Sequence, residues 1–349
     1  MAYLKKQPHS WRTGGLLVIT AIALAAAGCG SSSSSSGSSP SPGSSASAGG
    51  SAATGTASAA YAASLEYLNE KIVGPGFQQA TGNKFSGRAG TSGELSMDIA
   101  SGEISPNVFE SVGGDNITPL EPKYTKWYVQ YATTSIVLAY NPQSKYASQL
   151  EAIGSGKKPL KDLYTLLETP GLKLGRTDPN TDPQGRAFIF MPQLAQAKYH
   201  LPASTVAKIL GGPAASATSS QIYAEASLDA TLQSGQLDVA SAYLSQAIQL
   251  HLHYIALPDD INLGSAADAT KYSKASVTIT GGKVKTGSPL VIDITTIGKP
   301  TPAGIAFVKY VLSPAGLQQH KQGGYTLLTP QVFGDSSAVP TAVSGELGG

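Results

Sequence analysis

Cysteine is almost absent from this sequence of 349 residues, in which Cys29 is the only one. Internal disulfides and cysteine-rich metal sites need at least two thiols and are therefore excluded. Charge is also scarce, with 13% charged residues and a formal net charge of +2. A nucleic-acid-binding surface needs a strong basic excess, so this composition favours a small-molecule partner.

Enzyme motifs are missing as well. The sequence has no phosphate-loop lysine motif and no nucleophile-elbow serine. None of its five histidines has the spacing of a zinc protease: His9, His200, His251, His253 and His320. His251 and His253 would share one face of a strand, where they either lie at a solvated edge, the favoured interpretation, or pair on a metal. The sequence thus predicts a protein that is not an enzyme.

The first 29 residues have the pattern of an export signal. Lys5, Lys6 and Arg12 precede an apolar run from 14 to 28, which is shorter than the roughly 20 residues needed to span a bilayer. The run ends in small residues before Cys29, as at a lipoprotein processing site where the thiol is acylated. The alternative is a plain signal peptide with an incidental cysteine. We expect a lipid on Cys29 and an extracytoplasmic protein anchored to the cell membrane.

A segment almost wholly of Ser, Gly, Ala and Pro follows, from 30 to 58. This composition is typical of a flexible tether. After it, helical and strand-like stretches alternate, which predicts an α/β class with mostly parallel strands. We expect helices starting at Ser64 and Thr91, with the first one broken by 74–76. Further elements are expected at 136–140 (strand), 160–167 (helix), 182 onward (helix), 222–232 (helix), 237–243 (strand) and 305–312 (helix).

Helix N-termini offer one candidate chemistry, since their free N–H groups and partial positive charge bind anions without Lys or Arg. Four such starts carry polar side chains: Ser64, Thr91-Ser92, Asp182-Pro183-Gln184 and Ala224-Glu225-Ala226. Most N-cap residues only stabilise their own helix, so this pattern alone is weak. An aromatic group at 124, 127, 128 and 131, with helical spacing, could instead stack a sugar or simply pack.

Longer motifs are more specific. Ala63-Ser64-Leu65 and Thr91-Ser92-Gly93 stand in order with segments 127–140, 175–185, 237–247, 254–263 and 307–324. Together they resemble the molybdate- and tungstate-binding lipoproteins of ABC importers, especially the archaeal branch. The resemblance implies a two-lobed type II periplasmic-binding fold with two crossover strands. It divides the chain into lobe 1, at 59–137 and 286–349, and lobe 2, at 138–285.

The resemblance also implies how an oxyanion is held. By position, the ligand groups are the hydroxyls of Ser64, Ser92 and Tyr243 and the backbone N–H groups near Gln184 and Ala226. All of these donate hydrogen bonds, which suits a fully ionised tetrahedral anion.

Two positions depart from the archaeal pattern, in which two carboxylates complete an octahedral metal and a cysteine stands nearby. Asp182 matches the first carboxylate, but the second position is Ala242, and Gln184 replaces the cysteine. A lone carboxylate repels the anion, so we expect Asp182 to turn away as a helix cap paired with Arg186.

The resemblance therefore implies a monomeric receptor that passes molybdate or tungstate to an ABC permease, without a cofactor. One rival is the same fold with phosphate, sulfate or an organic ligand, where Tyr128 or Tyr131 would line a larger cleft. Another is a lipoprotein enzyme or sensor on the same fold.

Overall fold

A computed structural model describes residues 54–347, which belong to one compact unit, Ser51–Gly349. Cys29 and the signal segment lie outside the described residues, as does most of the expected tether. The first strand begins at Thr56, so the last three residues assigned to the tether are folded. Small residues pair along a strand as readily as larger ones, and composition alone did not reveal this boundary. No helix in the described part has the length and apolarity needed to cross a membrane.

Strands form two main sheets, which define lobe 1 and lobe 2 here, and a separate β-ribbon. The strands are β1 Thr56–Ala62, β2 Lys84–Gly90, β3 Val108–Val112, β4 Trp127–Thr133, β5 Ile136–Tyr140, β6 Leu174–Gly175, β7 Val239–Tyr243, β8 His253–Ile255, β9 Ser276–Thr278, β10 Val284–Thr286, β11 Val291–Thr296 and β12 Thr326–Gly334. The lobe 1 sheet has the order β12-β4-β11-β3-β1-β2, the lobe 2 sheet has the order β6-β7-β5-β8, and β9 pairs with β10.

The expectation of mostly parallel strands was wrong. Strand β1 is parallel to β2 and β3, and β6 is parallel to β7. The pairs β11-β3, β11-β4, β12-β4, β5-β7 and β5-β8 are antiparallel. The reason is the path of the chain. Strands β4 and β11 adjoin the crossings between the lobes, and the chain passes through them in directions that make them antiparallel to neighbouring strands.

The chain crosses between the sheets twice. Strand β4 leads through residues 134–135 into β5, and residues 287–290 lead back into β11. The two crossings touch, since the Thr134 N–H donates to the Leu290 carbonyl at 2.9 Å. Paired crossings of this kind are a natural hinge. The lobe boundaries at 137/138 and 285/286 remain a proposal near these crossings.

Helices cover the sheets: α1 Glu66–Leu68, α2 Gly74–Thr81, α3 Ser92–Ser101, α4 Ala147–Gly154, α5 Lys161–Leu167, α6 Pro183–Tyr199, α7 Thr205–Leu210, α8 Glu225–Gln233, α9 Leu244–Gln249, α10 Asp259–Asn262, α11 Ala269–Tyr272, α12 Pro302–Leu312, α13 Pro314–Gln322 and α14 Thr341–Ser344. The predicted strand at 136–140 and the helices starting at Ser92 and Pro183 are confirmed. The predicted helix at 222 starts three residues later, because Ile222 forms a β-bridge with Arg176.

The first helix is not broken at 74–76 as expected. A π-helical turn, Asn69–Val73, joins α1 to α2, and Gly74 N–H donates to the Asn69 carbonyl. Pro75 then stands in the first turn of α2, where a missing N–H costs little. Gly76 is needed for packing, since a Cβ there would lie 2.3 Å from the Tyr310 hydroxyl.

Candidate functional site

The predicted helix starts meet where the two lobes face each other. Ser64 lies in a 3-10 turn, Ala63–Leu65, which contacts α8 and α9 of lobe 2. The start of α3 reaches lobe 2 as well, because Gly93 N–H donates to the Thr181 carbonyl at 3.0 Å. A Cβ on Gly93 would lie 2.3 Å from that carbonyl oxygen, so glycine permits the close approach. These contacts bring Ser64 and the start of α3 against lobe 2, but of the six predicted ligand residues only Ser64 and Ala226 line the cavity described below.

Ser64 offers a hydroxyl with no protein partner. The residue is 3% exposed, and its Oγ has no hydrogen bond within the described residues. Its backbone is held in place, since the Tyr325 hydroxyl donates to the Ser64 carbonyl at 3.1 Å. A buried hydroxyl without a partner is costly. A ligand oxygen that accepted this hydrogen bond would recover the cost.

Ser92 begins α3 but does not cap it. Thr91 is the N-cap, and its side chain accepts from the Glu94 N–H at 3.4 Å. Ser92 Oγ instead accepts from the Val112 N–H at 3.1 Å, and the residue is 1% exposed. Since this bond uses an acceptor lone pair, the hydroxyl proton stays free to donate.

Tyr243 ends β7 with a buried hydroxyl. The residue is 1% exposed, and its OH has no partner among residues 54–347. Burial raises its pKa well above the usual value, and the Asp182 and Glu225 carboxylates raise it further. The phenol is therefore neutral and carries an unused O–H donor.

Asp182 is the N-cap of α6, as expected. Its Oδ1 accepts from the Gln184 N–H at 2.8 Å, whereas its Oδ2 has no partner in the described chain. Burial raises its pKa to about 6, while the bond from the Gln184 N–H, the nearby Thr177 hydroxyl and the Arg186 charge lower it. The expected pairing with Arg186 is absent from the ion pairs of the described residues, and Arg186 Nη1 donates instead to the Pro179 carbonyl at 3.2 Å.

Gln184 does not offer its backbone N–H as the sequence suggested, because the Asp182 cap already accepts that hydrogen bond. At the start of α8, in contrast, no N-cap side chain accepts from the backbone N–H groups. The N-cap there is Ala224, which forms no side-chain cap. The N–H groups of the first helical turn have no intrahelical partner, so those of Glu225 and Ala226 are open to an anion.

Glu225, which the sequence named only as part of a helix start and not as a ligand, lies at the cavity described below. It is 5% exposed, and burial followed by the charge of Asp182 raises its pKa well above the usual value. Ala242, where the second carboxylate was expected, lies in an apolar cluster of lobe 2. The sequence Ala224-Glu225-Ala226 does show an acidic residue at this helix start. An acidic residue in the first turn of a helix ordinarily only stabilises the helix through its dipole, so the sequence did not mark Glu225 as special.

A cavity of about 560 Å³ opens beside Ser64, Glu225 and Ala226. Its walls come from both lobes and carry more acidic than basic side chains. The lining residues are Ala63, Ser64, Glu66, Tyr67, Glu70, Lys71, Glu225, Ala226, Asp229, Ala230, Gln233, Gln246, Gln249 and Leu250. Lys71 is the basic residue in this lining.

The aromatic alternative finds no place in this cavity. Residues 127–133 form β4, so the helical spacing of that group was misleading. Tyr131 is buried in lobe 1, where its hydroxyl bonds to Glu110 and to His320. Tyr128 stacks on Phe333 with ring centroids 5.1 Å apart. Neither tyrosine is part of the cavity lining.

The two histidines of the metal alternative lie on and just before β8, the edge strand of the lobe 2 sheet. His253 is exposed on β8, and His251 precedes that strand with a φ of 52°. No group of three or more His, Cys, Asp or Glu residues arranged to hold a metal occurs between 54 and 347.

Comparison with known proteins gives a consistent result. The family model described as bacterial extracellular solute-binding protein matches residues 58–326. The molybdate/tungstate-binding protein WtpA of Pyrococcus abyssi is 33% identical over 246 residues, covering 64% of this chain and 68% of the relative. WtpA of Thermococcus kodakarensis is 32% identical over 248 residues, covering 65% and 67%.

A solved structure, the periplasmic molybdate-binding protein of Azotobacter vinelandii, superposes with a TM-score of 0.53 at 17% identity. The match covers 78% of this chain and 99% of that protein. At this level of identity the likeness concerns the fold, and it confirms the two-lobed architecture expected from the sequence.

Proposed function

The chain belongs to the bacterial extracellular solute-binding protein family, and we propose that it captures molybdate or tungstate between its lobes for an ABC importer. The observation that carries this proposal is a set of buried donors without partners, drawn from both lobes. Ser64 Oγ comes from lobe 1, and the Tyr243 OH and the first N–H groups of α8 come from lobe 2.

The donors favour an anion with several acceptor oxygens over an apolar ligand. Ser64, Ser92 and Tyr243 each have a hydroxyl proton to give, and helix N-termini favour negative charge. Ionised oxygens accept each of these bonds. An apolar ligand would leave the same groups buried and unpaired, which costs about 1–3 kcal/mol for each group.

The choice of molybdate or tungstate rests on the relatives, two of which are named for these anions. One observation favours a second candidate. Asp182 Oδ2 is a buried oxygen without a partner in the described chain, and when ionised it accepts a hydrogen bond. Monohydrogen phosphate carries a proton to donate, whereas molybdate and tungstate at neutral pH do not. Phosphate is therefore the rival to test.

Two carboxyl groups beside an anion need not repel it. Burial raises the pKa of Asp182 to about 6 and that of Glu225 above its usual range, so these groups take up protons readily. A neutral carboxylic acid is a hydrogen-bond donor, as at other sites that stabilise negative charge. In this proposal anion capture draws protons onto the Asp182–Glu225 pair.

Capture would close the two lobes about the crossing segments. The Gly93–Thr181 bond joins the lobes beside the site, and the Thr134–Leu290 bond ties the crossings together. A ligand that contacts both lobes binds the closed form better and shifts the population toward it. The closed receptor would then dock on the membrane permease.

The proposal is tested by native mass spectrometry and thermal unfolding of the chain from Ser51 onward. Molybdate, tungstate, sulfate and phosphate are each titrated into an anion-free preparation. We expect a monomer that binds one molybdate or tungstate ion and gains thermal stability, because ligand binding to the folded state stabilises it. Equal or greater stabilisation by phosphate would transfer the assignment to phosphate. The absence of any shift would overturn the oxyanion proposal.

We also propose that a lipid on Cys29 anchors the protein at the outer face of the cell membrane. Support comes from the small residues before Cys29 and the Ser/Gly/Ala/Pro segment after it. Cys29→Ser should release the folded protein from washed membranes without changing anion affinity. Continued fractionation of this variant with salt-washed membranes would contradict the anchor.

A further inference from the structure

Helix α9 of lobe 2 packs against the end of α13 in lobe 1. Gln249, the last residue of α9, donates from Nε2 to the Gly323 carbonyl at 2.8 Å, although the two residues are 74 positions apart in the sequence. Gln249 is 8% exposed, and Gly323 is also buried. This hydrogen bond ties the two lobes directly, beside the cavity that Gln249 lines.

The Gly323 carbonyl needs a donor from outside its own helix. Gly323 is the C-cap of α13, and the last carbonyls of a helix have no intrahelical partner. The partial negative charge at this helix end also favours an N–H donor. A carbonyl can only accept, so the Gln249 amide turns its NH₂ group to Gly323. Gln249 Oε1 then has no partner among the described residues.

Glycine permits the lobes to approach this closely. Gly324 has a φ of 88°, in the left-handed region that favours glycine. A Cβ on Gly324 would lie 2.7 Å from Ile248 Cδ1 and 3.2 Å from Ser245 Cα, both in α9. Any side chain at this position would therefore push α9 away from lobe 1. We call Ile248 and Gln249 of α9, with Gly323 and Gly324, the interlobe seam.

The interlobe seam adjoins two of the proposed ligand groups. Tyr243, whose hydroxyl is one of them, is the N-cap of α9. On the lobe 1 side, Tyr325 follows Gly324 in the chain, and its hydroxyl donates to the Ser64 carbonyl at 3.1 Å. Packing α9 on residues 323–325 thus positions Tyr243 of lobe 2 relative to Ser64 of lobe 1.

We propose that the interlobe seam is a latch that holds the lobes together before any anion binds, with Gln249 as its positioning residue. This inference rests on the proposed function. The seam consists of protein groups alone, so it stabilises the closed arrangement in the empty protein as well. An anion that contacts both lobes loses apparent affinity in proportion to the fraction of protein that is open. The latch strengthens binding by raising the closed fraction.

The first test is Gln249→Met, which keeps the side-chain length but removes the donor. The chain from Ser51 onward contains no cysteine, so spin labels can be attached at Met97→Cys in lobe 1 and Lys157→Cys in lobe 2, both exposed positions. Pulsed spin-distance measurement of the anion-free wild type should show one major separation. Gln249→Met should shift the ratio of this population to a more open one by about fivefold, as expected for one lost hydrogen bond.

The matched control is Gln233→Met. Gln233 lines the same cavity, but its amide donates to the Leu250 carbonyl at 3.5 Å, within lobe 2. Its removal takes away an amide of the same chemistry without touching lobe 1. The distance distribution and the anion affinity of this variant should equal those of wild type.

Calorimetric titration with molybdate provides the second readout for Gln249→Met. Affinity should fall in proportion to the closed fraction measured without anion, by at most about fivefold. A residue that bonded to the anion itself would lower affinity and leave the empty protein unchanged. Comparing the two measurements therefore separates a latch from a ligand contact.

Gly324→Ala tests the interlobe seam by a second route. The added Cβ enters the space of Ile248, so this variant should open the lobes at least as much as Gln249→Met. Gly102→Ala is the control for backbone strain, because Gly102 has a φ of 81° and nothing within 4 Å of an added Cβ. Both alanine variants should lose stability, and only Gly324→Ala should open the lobes.

Each outcome decides the proposal. Unchanged distances in Gln249→Met overturn the latch even if Gly324→Ala does not fold, and so does equal opening in Gln233→Met or Gly102→Ala. An affinity loss in Gln249→Met without opening of the empty protein makes its amide a ligand contact and also overturns the latch. If wild type binds none of the four anions while the variants still open the lobes, the proposed function fails and the interlobe contact is upheld.

Discussion

Lobe 1 and the cleft each contain a cluster of buried polar groups, and the two clusters differ in how far their hydrogen bonds are satisfied. In lobe 1, Glu110 Oε2 accepts from Asn69 Nδ2 at 2.7 Å, and Tyr131 joins Glu110 to His320. His320 Nδ1 donates to the Gly316 carbonyl at 2.9 Å. Each ionisable group of this cluster has a partner within the lobe, and Asn69 Oδ1 is its one atom without a partner among the described residues.

The cleft cluster is incomplete by comparison. Ser64 Oγ, Asp182 Oδ2 and the Tyr243 OH have no partners among the described residues, although each residue is at most 3% exposed. A satisfied cluster stabilises the fold, whereas an unsatisfied one lowers stability until something binds. Under the proposed function, the lobe 1 cluster is structural and the unpaired atoms of the cleft cluster bind the ligand.

The largest expected effect breaks the satisfied cluster. Glu110→Ala leaves the Asn69 Nδ2 and Tyr131 OH donors without their common acceptor, and each buried donor left unpaired costs about 1–3 kcal/mol. Denaturant unfolding of the empty protein should show this loss. The exposed Glu103→Ala serves as control and should change stability by less than about 0.5 kcal/mol. A loss below about 1 kcal/mol for Glu110→Ala would contradict the structural role.

The next effect concerns affinity rather than stability. Tyr243→Phe removes a donor to a charged ligand, so binding of molybdate should weaken by about 1.5–3 kcal/mol, or roughly tenfold to over a hundredfold. Stability of the empty protein should not fall, because the hydroxyl has no partner there. Tyr164→Phe is the matched control, since Tyr164 OH is also buried and unpaired in the described chain. Equal affinity losses in the two variants would refute the assignment.

Ser64 and Ser92 sharpen the comparison within the cleft itself. Ser64→Ala and Ser92→Ala should each weaken binding about tenfold. Only Ser92→Ala should also lower the free energy of unfolding, by about 1–3 kcal/mol, because it leaves the buried Val112 N–H unpaired. Calorimetry and unfolding of both variants check this. A stability loss in Ser64→Ala of the same size would mean that its hydroxyl has a structural partner.

The smallest effect is a dependence on pH. The pKa of Asp182 is about 6 in the empty protein, and an adjacent anion raises it further, so binding takes up protons. Affinity should therefore be greatest below about pH 6 and should fall as the pH rises toward 8. For each proton taken up on binding, the fall is at most about tenfold per pH unit. Asp182→Asn should flatten this profile and leave affinity at pH 7 unchanged or slightly higher. A profile that rises with pH would exclude proton uptake.

Local signals were reliable where one residue determines the backbone. Asp182-Pro183 started α6 and Thr91 capped α3 as expected, because a side-chain cap and a restricted φ act within a few residues. The continuity of α1 with α2 was missed. Residues 74–76 look like a helix breaker, because Pro75 has no backbone N–H to donate. The π-helical turn Asn69–Val73 changes the hydrogen-bond pattern at this point, so the helix continues without that N–H.

The cleft itself required contacts across the whole chain. Sequence placed Ser64, Ser92 and Tyr243 in one site through a resemblance, and their assignment as ligands remains a prediction. It could not place Glu225 beside Asp182, because these carboxyls are 43 residues apart and meet only when α6 and α8 pack on one sheet. It put the second carboxylate at Ala242, whose side chain packs in an apolar cluster.

What the sequence determined by itself was the class of fold and the helix starts, since both follow from short-range patterns and from motifs in a fixed order. Tertiary structure alone decided which polar atoms lack partners, because pairing depends on which groups distant in sequence the fold brings within hydrogen-bonding distance. Gln184 illustrates this. Its backbone N–H is bonded locally to Asp182, while its side chain reaches Gln246, 62 residues further along the chain.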